Sequence, residues 1–377
     1  MLQRVMMIAG EASGDLHGSR VIKELKIRRP AVEVFGIGGD NMQREGMEVL
    51  YHSSSLSFMG FVEVIRHLSL IRRVEERLEQ ILVKRPPDVL VLIDFPGFNL
   101  RFARKARRHG ARILYYISPQ VWAWHKGRVK KMKSLVDRMK VVFPFEVELY
   151  ENEGIDVEFV GHPLVESLRS NLTREEFSRH AGLNPGRKII GLFPGSRKQE
   201  IEKIFPTMLQ TGEELRKIHD IQLAVGVASN LGAEEVRKYV PIDSPVALIE
   251  NNTYELMRHS DAAIVTSGTA TLETGWFGTP LVVVYKTSPL SFFIGRVLVD
   301  IENIGLVNIV AGKTVAPEFI QNDMTVNNLV RAVERILTDE TYRQSMKDQL
   351  SNIKEKLGAP GASGRVAEGI IALGEAA

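Results

Sequence analysis

Arg4-Val5-Met6-Met7-Ile8-Ala9-Gly10-Glu11-Ala12-Ser13-Gly14-Asp15-Leu16-His17-Gly18 decides how the rest of the sequence is read. Arg4–Ala9 is brief, apolar and not polar at every second position, which predicts a parallel strand covered on both faces. The glycine turn and the helical pattern of Gly14–Arg28 then make the first strand-to-helix step of a βαβ unit. The turn leaves backbone N–H groups and a helix N-terminus open to a ligand. Its spacing is not the G-x-G-x-x-G of a dinucleotide site, and Glu11 and Asp15 repel a pyrophosphate. Carboxylates here suit a sugar, whose hydroxyls donate hydrogen bonds. Ser13 or Asp15 serves equally well as a helix cap, so both uses stay open.

Outward from this unit the same alternation repeats. Val32–Gly36, Asp88–Ile93, Arg112–Tyr116, Arg138–Phe143 and Val157–Val160 are predicted strands, with helices over Phe61–Lys84, Phe98–His109 and Lys126–Leu135. After the polar, helical stretch Leu164–Arg187, a second series begins. Its strands are Lys188–Phe193, Ile221–Gly226, Val246–Ile249, Ala262–Thr266 and Pro280–Tyr285. Helices near Lys198–His219, Gly232–Tyr239, Thr253–His259 and Gly268–Phe277 separate them, and Val326–Thr338, Asp339–Leu357 and Arg365–Leu373 follow. The expected fold class is α/β, with two Rossmann-like domains facing a cleft and C-terminal helices after the second sheet. The expected domains are 1–170 and 187–357, with the helix in 358–377 packing back on the first. Ligands of such sheets sit at the carboxyl ends of the strands.

Composition narrows the chemistry. The 377 residues include no Cys, which excludes disulfides, thiolate metal sites and a Cys nucleophile. No stretch approaches the roughly 18 uninterrupted apolar residues of a membrane span, so a cytoplasmic protein is expected. The net charge is only +3, yet Phe95–Val136 holds no Asp or Glu while carrying Arg101, Arg104, Lys105, Arg107, Arg108, Arg112, Lys126, Arg128, Lys130, Lys131 and Lys133. Such a block suits an anionic partner or a membrane surface, and equally two solvated helix faces. The apolar run Leu56–Leu70, with Phe58, Met59, Phe61 and Val62, suits a membrane or acyl chains. Its repeat Phe61, Ile65, Leu68, Ile71 reads as core.

Five further segments carry candidate chemistry. Asp94 ends a strand and precedes Phe95-Pro96-Gly97-Phe98-Asn99, which places a carboxylate over the crevice, where it can take a proton from an attacking hydroxyl. Ser118-Pro119-Gln120-Val121-Trp122-Ala123-Trp124-His125 brings two Trp to a loop, to stack on a sugar, cover an acyl chain or fill core. Gly191–Glu200 contains the turn Pro194-Gly195-Ser196-Arg197, an expected anion nest with Arg197 placed to fork onto a diphosphate. In Thr266-Ser267-Gly268-Thr269-Ala270-Thr271-Leu272-Glu273, small residues admit a ligand to the backbone, the helix start attracts phosphate, and Glu273 can accept from both ribose hydroxyls. Asn308 offers one polar contact on the apolar loop Asn303–Gly312.

Ala9–Gly18, Ser118–Trp124, Gly161-His162-Pro163, Pro194–Arg197 and Ser267–Glu273, in this order and spacing, resemble the lipid-A-disaccharide synthase family over nearly the whole chain. The family is similar to other GT-B glycosyltransferases, with the acceptor on the first domain and the nucleotide donor on the second. The resemblance implies transfer of 2,3-diacylglucosamine from UDP to the 6-hydroxyl of 2,3-diacylglucosamine 1-phosphate, with inversion, in lipid A biosynthesis at the inner face of the cytoplasmic membrane. It implies Asp94 as base and Glu11 as the family's N-terminal loop carboxylate. Were Asp94 not the base, His17 or Glu11 would be next in line. Arg197, Glu273 and Asn308 match UDP-contacting positions. The chain departs from the family's pattern at Gly97 and Val307, neither of which is a candidate here. No cofactor or metal is expected, since the cleft segments lack a D-x-D motif. The rival readings are a UDP-sugar epimerase or another UDP-sugar transferase. A nucleic-acid binder is not expected, because no recognised module is present.

Overall fold

The computed structural model describes residues 1–56, 68–119, 129–288, 292 and 302–376. It divides into two compact units, Met1–Glu166 with Leu357–Ala377, and Ser167–Lys356. Phe58, Met59, Phe61, Val62, Ile65, Trp122 and Trp124 lie outside the described residues.

In the first unit the strands are β1 (Arg4–Ala9), β2 (Glu33–Gly38), β3 (Glu48–His52), β4 (Val89–Ile93), β5 (Ile113–Tyr116), β6 (Arg138–Val141) and β7 (Val157–Phe159). Among the described residues they form one parallel sheet, ordered β3-β2-β1-β4-β5-β6-β7. The register sets Met7 beside Val91 and Ala9 beside Ile93. Every residue of β4 is buried, as a strand covered on both faces requires. Leu78, Phe102, Tyr115 and Met139 share one of its cores, with Ile71 at the edge.

Helix Ala362–Glu375 belongs to this first unit although its sequence follows the second. It packs on helix Ala12–Arg28 and on β4, β5 and β6. Gly369 lies against the buried Lys140, which pairs with Glu158. Glu375 binds Arg29 at 3.0 Å, and Arg112 donates to the carbonyls of Leu373 and Ala376 at 3.1 and 2.7 Å.

The second unit carries β8 (Lys188–Phe193), β9 (Ile221–Gly226), β10 (Ala247–Ile249), β11 (Ala262–Thr266), β12 (Leu281–Tyr285) and β13 (Glu318–Ile320). They too are parallel, ordered β10-β9-β8-β11-β12-β13 among the described residues. Sequence patterning missed β3 and β13. Both are edge strands with half-exposed positions, so neither shows a continuous apolar run. The Asn303–Gly312 segment also differs from expectation: Leu306–Ala311 is a helix rather than a loop.

Candidate active site

Each sheet has one place where successive strands run off to opposite sides, and there the following loops part and leave a crevice. In the first sheet it lies between β1 and β4. The loops leaving those two strands carry Glu11 and Asp94.

Asp94 and Phe95 both take left-handed backbone conformations, with φ of 45° and 46°. For side-chain-bearing residues this costs about 1–3 kcal/mol each and persists only where neighbours fix it. Asn99 Nδ2 donates to the carbonyls of Ile93 and Asp94 at 3.2 and 2.7 Å, and Tyr115 Oη donates to Asp94 O at 2.6 Å. The Asp94 N–H donates to Tyr116 O at 3.0 Å. Phe95 lies across Gly10, where an added Cβ would stand 2.2 Å from the ring. Gly10 is therefore required by the turn opposite it. Burial, and then the Glu11 charge, push the Asp94 carboxyl from 3.8 up to about 6. A base in that range suits proton abstraction near neutral pH.

His17 is half-buried on the first helix, and burial followed by the Arg20 charge lowers it to about 4. Its neighbour His162 falls to about 3, through burial and then His17. Both are neutral at physiological pH, and His17 is the weaker base of the two candidates. Ser13 is exposed on the first turn of that helix.

In the second sheet the crevice lies between β8 and β11. A cavity of about 580 Å³ opens there, lined by the Gly195–Arg197 turn after β8, by Asn251 and Tyr254, by Ser267–Ala270 after β11, and by Glu273. Gly268 has φ 147° and starts helix Thr269–Trp276. A side chain at Gly268 would be strained, and its absence opens the backbone to the cavity. Glu273 accepts from Tyr254 Oη at 3.1 Å, while burial raises its carboxyl above the ordinary range. Ser267 Oγ is spent on Ile304 O at 2.8 Å. Thr269 is exposed at the mouth, and the buried Thr266 Oγ1 in the lining has no partner among the described residues.

Several expected contacts do other work. Asp15 is neither a cap of its own helix nor open to a sugar. Its buried carboxylate accepts from the N–H groups of Gly39, Asn41 and Met42 at 2.6, 3.0 and 3.0 Å, fastening the turn after β2. Thr271 is fully buried and donates to Gly268 O at 2.8 Å. Asn308 is also fully buried: it accepts from Val315 and Ala316 N–H at 2.8 and 2.9 Å and donates to Ala316 O and Glu318 at 2.7 and 2.8 Å. It is not among the residues that line the cavity. The turn at Gly195 is not an open nest, because Glu200 Oε2 already accepts from Ser196 and Arg197 N–H at 3.1 and 3.2 Å. Sequence reasoning missed Glu200 and Tyr254. The signal for Glu200 was its place three residues into a helix, where a glutamate reaches back to the first N–H.

The acid-free block also looks different when folded. Arg107 forks onto Asp137 at 2.7 Å twice, and Arg101 and Lys105 pair with Glu75 and Glu79 at 2.9 and 3.2 Å. Arg104, Arg108, Lys130, Lys131 and Lys133 remain exposed.

Comparison with known proteins now gives these sites a context. The family described as lipid-A-disaccharide synthetase matches residues 5–364. The chain belongs to the lipid-A-disaccharide synthetase family. The lipid-A-disaccharide synthase of Geobacter sulfurreducens is 46% identical, over 97% of this chain and 95% of that one. That of Coxiella burnetii is 39% identical, over 97% and 96%. A solved glycosyltransferase of kitacinnamycin superposes with a TM-score of 0.67 at 16% identity, covering 99% of this chain and 100% of that one. A UDP-GlcNAc 2-epimerase from Neisseria meningitidis reaches 0.64 at 14%, covering 98% and 100%. At such identities these two speak for the fold alone, which is that of GT-B glycosyltransferases. Family membership makes the chain a hexosyltransferase rather than an epimerase. No described helix is long and apolar enough to cross a membrane.

Proposed function

We propose that the enzyme moves 2,3-diacylglucosamine from UDP to the 6-hydroxyl of 2,3-diacylglucosamine 1-phosphate, giving the lipid A disaccharide 1-phosphate and UDP with inversion. The observation that carries this reading is the pairing of family membership with the cavity at the β8–β11 crevice, whose residues match what a nucleotide diphosphate needs. Glu273, fixed by Tyr254, takes the ribose hydroxyls. The N–H groups at the start of helix Thr269–Trp276 and the Arg197 guanidinium take the diphosphate.

In the other unit, Asp94 removes the proton of the acceptor 6-hydroxyl as that oxygen attacks the anomeric carbon. The bond from this carbon to the UDP oxygen breaks, and UDP leaves with the electron pair. Its charge is met by groups already oriented for it, so no solvent has to reorganise. Burial, and then the Glu11 charge, keep the Asp94 carboxyl high enough to be an effective base. We place the acceptor on the unit of Met1–Glu166, the UDP-sugar on that of Ser167–Lys356, and the enzyme at the inner face of the cytoplasmic membrane, held by anionic lipid. Neither a metal nor a cofactor takes part, and nucleic acid is not a partner.

Incubating the protein with UDP-2,3-diacylglucosamine and the monosaccharide 1-phosphate should give a disaccharide phosphate with the mass of the two substrates less that of UDP, with β configuration. The same assay in EDTA should run undiminished. Release of free sugar or an epimerised UDP-sugar, with no disaccharide, would overturn the reading.

A further inference from the structure

Arg197 is held by a side chain of its own helix. Glu200 Oε1 accepts from Arg197 Nη1 at 2.8 Å, while Oε2 takes the N–H groups of Ser196 and Arg197. Glu200 is largely buried, at 12% exposure, whereas Arg197 is 58% exposed. Both line the cavity beside Ser267–Thr269. Gly195 is at φ 105°, and a Cβ there would stand 2.3 Å from Glu200 Oε2, so the glycine makes room for this carboxylate. Asn230 Nδ2 donates to Ser196 O at 2.9 Å and fixes the turn from the other side.

A guanidinium has five N–H donors. Among the described residues, Nε and Nη2 of Arg197 carry no partner. An arginine on a flexible stem loses rotamer freedom when it grips a ligand, and a fixed carboxylate behind it removes much of that cost in advance. A carboxylate with no arginine between it and a diphosphate would instead repel it.

We propose that Glu200 is a positioning residue: it pre-orients Arg197 toward the diphosphate of the donor, and acts on binding only through Arg197. This rests on the role given to Arg197 above. It also moves the anion site away from the Gly195 turn, whose N–H groups Glu200 has filled, to the helix starting at Thr269.

The test is a double-mutant cycle on UDP affinity, read by calorimetry, with donor KM and kcat measured in parallel. Glu200→Gln keeps an acceptor for the turn's N–H groups, so the fold should survive with a near-normal melting temperature. Arg197→Ala should weaken UDP about tenfold or more, as a charge-assisted bond does. Glu200→Gln should weaken UDP about three- to tenfold and raise the donor KM with little change in kcat. In the Arg197→Ala background, Glu200→Gln should add nothing. If the two losses simply add, or if Glu200→Gln binds UDP as well as or better than wild type, Glu200 does not act through Arg197, and Arg197 keeps its role. If Arg197→Ala itself leaves UDP affinity unchanged, the diphosphate assignment falls and this proposal with it.

Discussion

The two crevices are built alike and equipped in opposite ways. Each opens where strand order reverses, between β1 and β4 in one unit and between β8 and β11 in the other. The first carries Glu11 and Asp94, and burial followed by the Glu11 charge pushes the Asp94 carboxyl up to about 6, on a backbone forced left-handed at Asp94 and Phe95. The second offers small residues, N–H groups and a guanidinium around a preformed cavity. One spends stability to tune a proton acceptor; the other spends side chains to let a ligand reach the backbone. Topology therefore places a site without choosing its chemistry.

The sharpest way to break this contrast is Asp94→Asn. Turnover should fall by roughly 10²–10⁴-fold while UDP affinity stays unchanged, because the proposed base and the proposed nucleotide site belong to different units. In the wild type the acid limb of kcat/KM should lie near pH 6, and Glu11→Gln should move it lower by removing a repelling charge. An unmoved limb would detach Glu11 from Asp94.

A smaller effect belongs to the other crevice. Glu273→Gln should weaken UDP about tenfold, as loss of a charged acceptor does, yet barely change binding of a 2′,3′-dideoxy analogue. Equal losses for both ligands would remove Glu273 from the ribose.

The same Asp94→Asn variant has a quieter consequence for stability. A carboxyl raised in the folded state contributes stability only while protonated, and this is lost as pH rises through about 6. The variant should therefore melt higher than wild type at pH 7.5, with the difference shrinking toward pH 4.5. A constant difference across that range would mean the carboxylate is not strained by its surroundings.

The smallest effect concerns lipid. Exposed Arg104, Arg108, Lys130, Lys131 and Lys133 should give weak binding to anionic vesicles at low salt, since each cation near the surface adds about 1 kcal/mol and salt screens it. Changing Phe58, Met59, Phe61 and Val62 to Ser should remove whatever binding survives high salt. No vesicle binding at low salt would leave the block as solvated surface.

What the sequence made legible follows from these physics. Arg4–Ala9 and Lys188–Phe193 are strands with the bounds their unbroken apolar runs suggest, because a strand covered on both faces leaves no position for polar residues. The place of Asp94 just past β4 was readable because the apolar run Val89–Ile93 stops there. Asn308 and Asp15 were not, since a polar residue clamping backbone inside the fold has the same local sequence as one meeting a ligand. The pairing of Arg101, Lys105 and Arg107 within the basic block was hidden for a related reason. Its acids, Glu75, Glu79 and Asp137, come from outside the block, and only folding brings them to it.

Helix Ala362–Glu375 has one more consequence, for the order in which the protein is made. The unit of Ser167–Lys356 is continuous in sequence, whereas the unit bearing Asp94 closes only with Leu357–Ala377. At about 5–20 residues per second, the ribosome spends roughly 10–40 s on Ser167–Lys356 between those two parts. Throughout that interval β4, β5 and β6 wait without the helix that covers them, and their apolar face is open to chaperones and to other nascent chains. The unit of Ser167–Lys356 can fold as soon as it has emerged, whereas the unit bearing Asp94 has to wait for Ala362–Glu375.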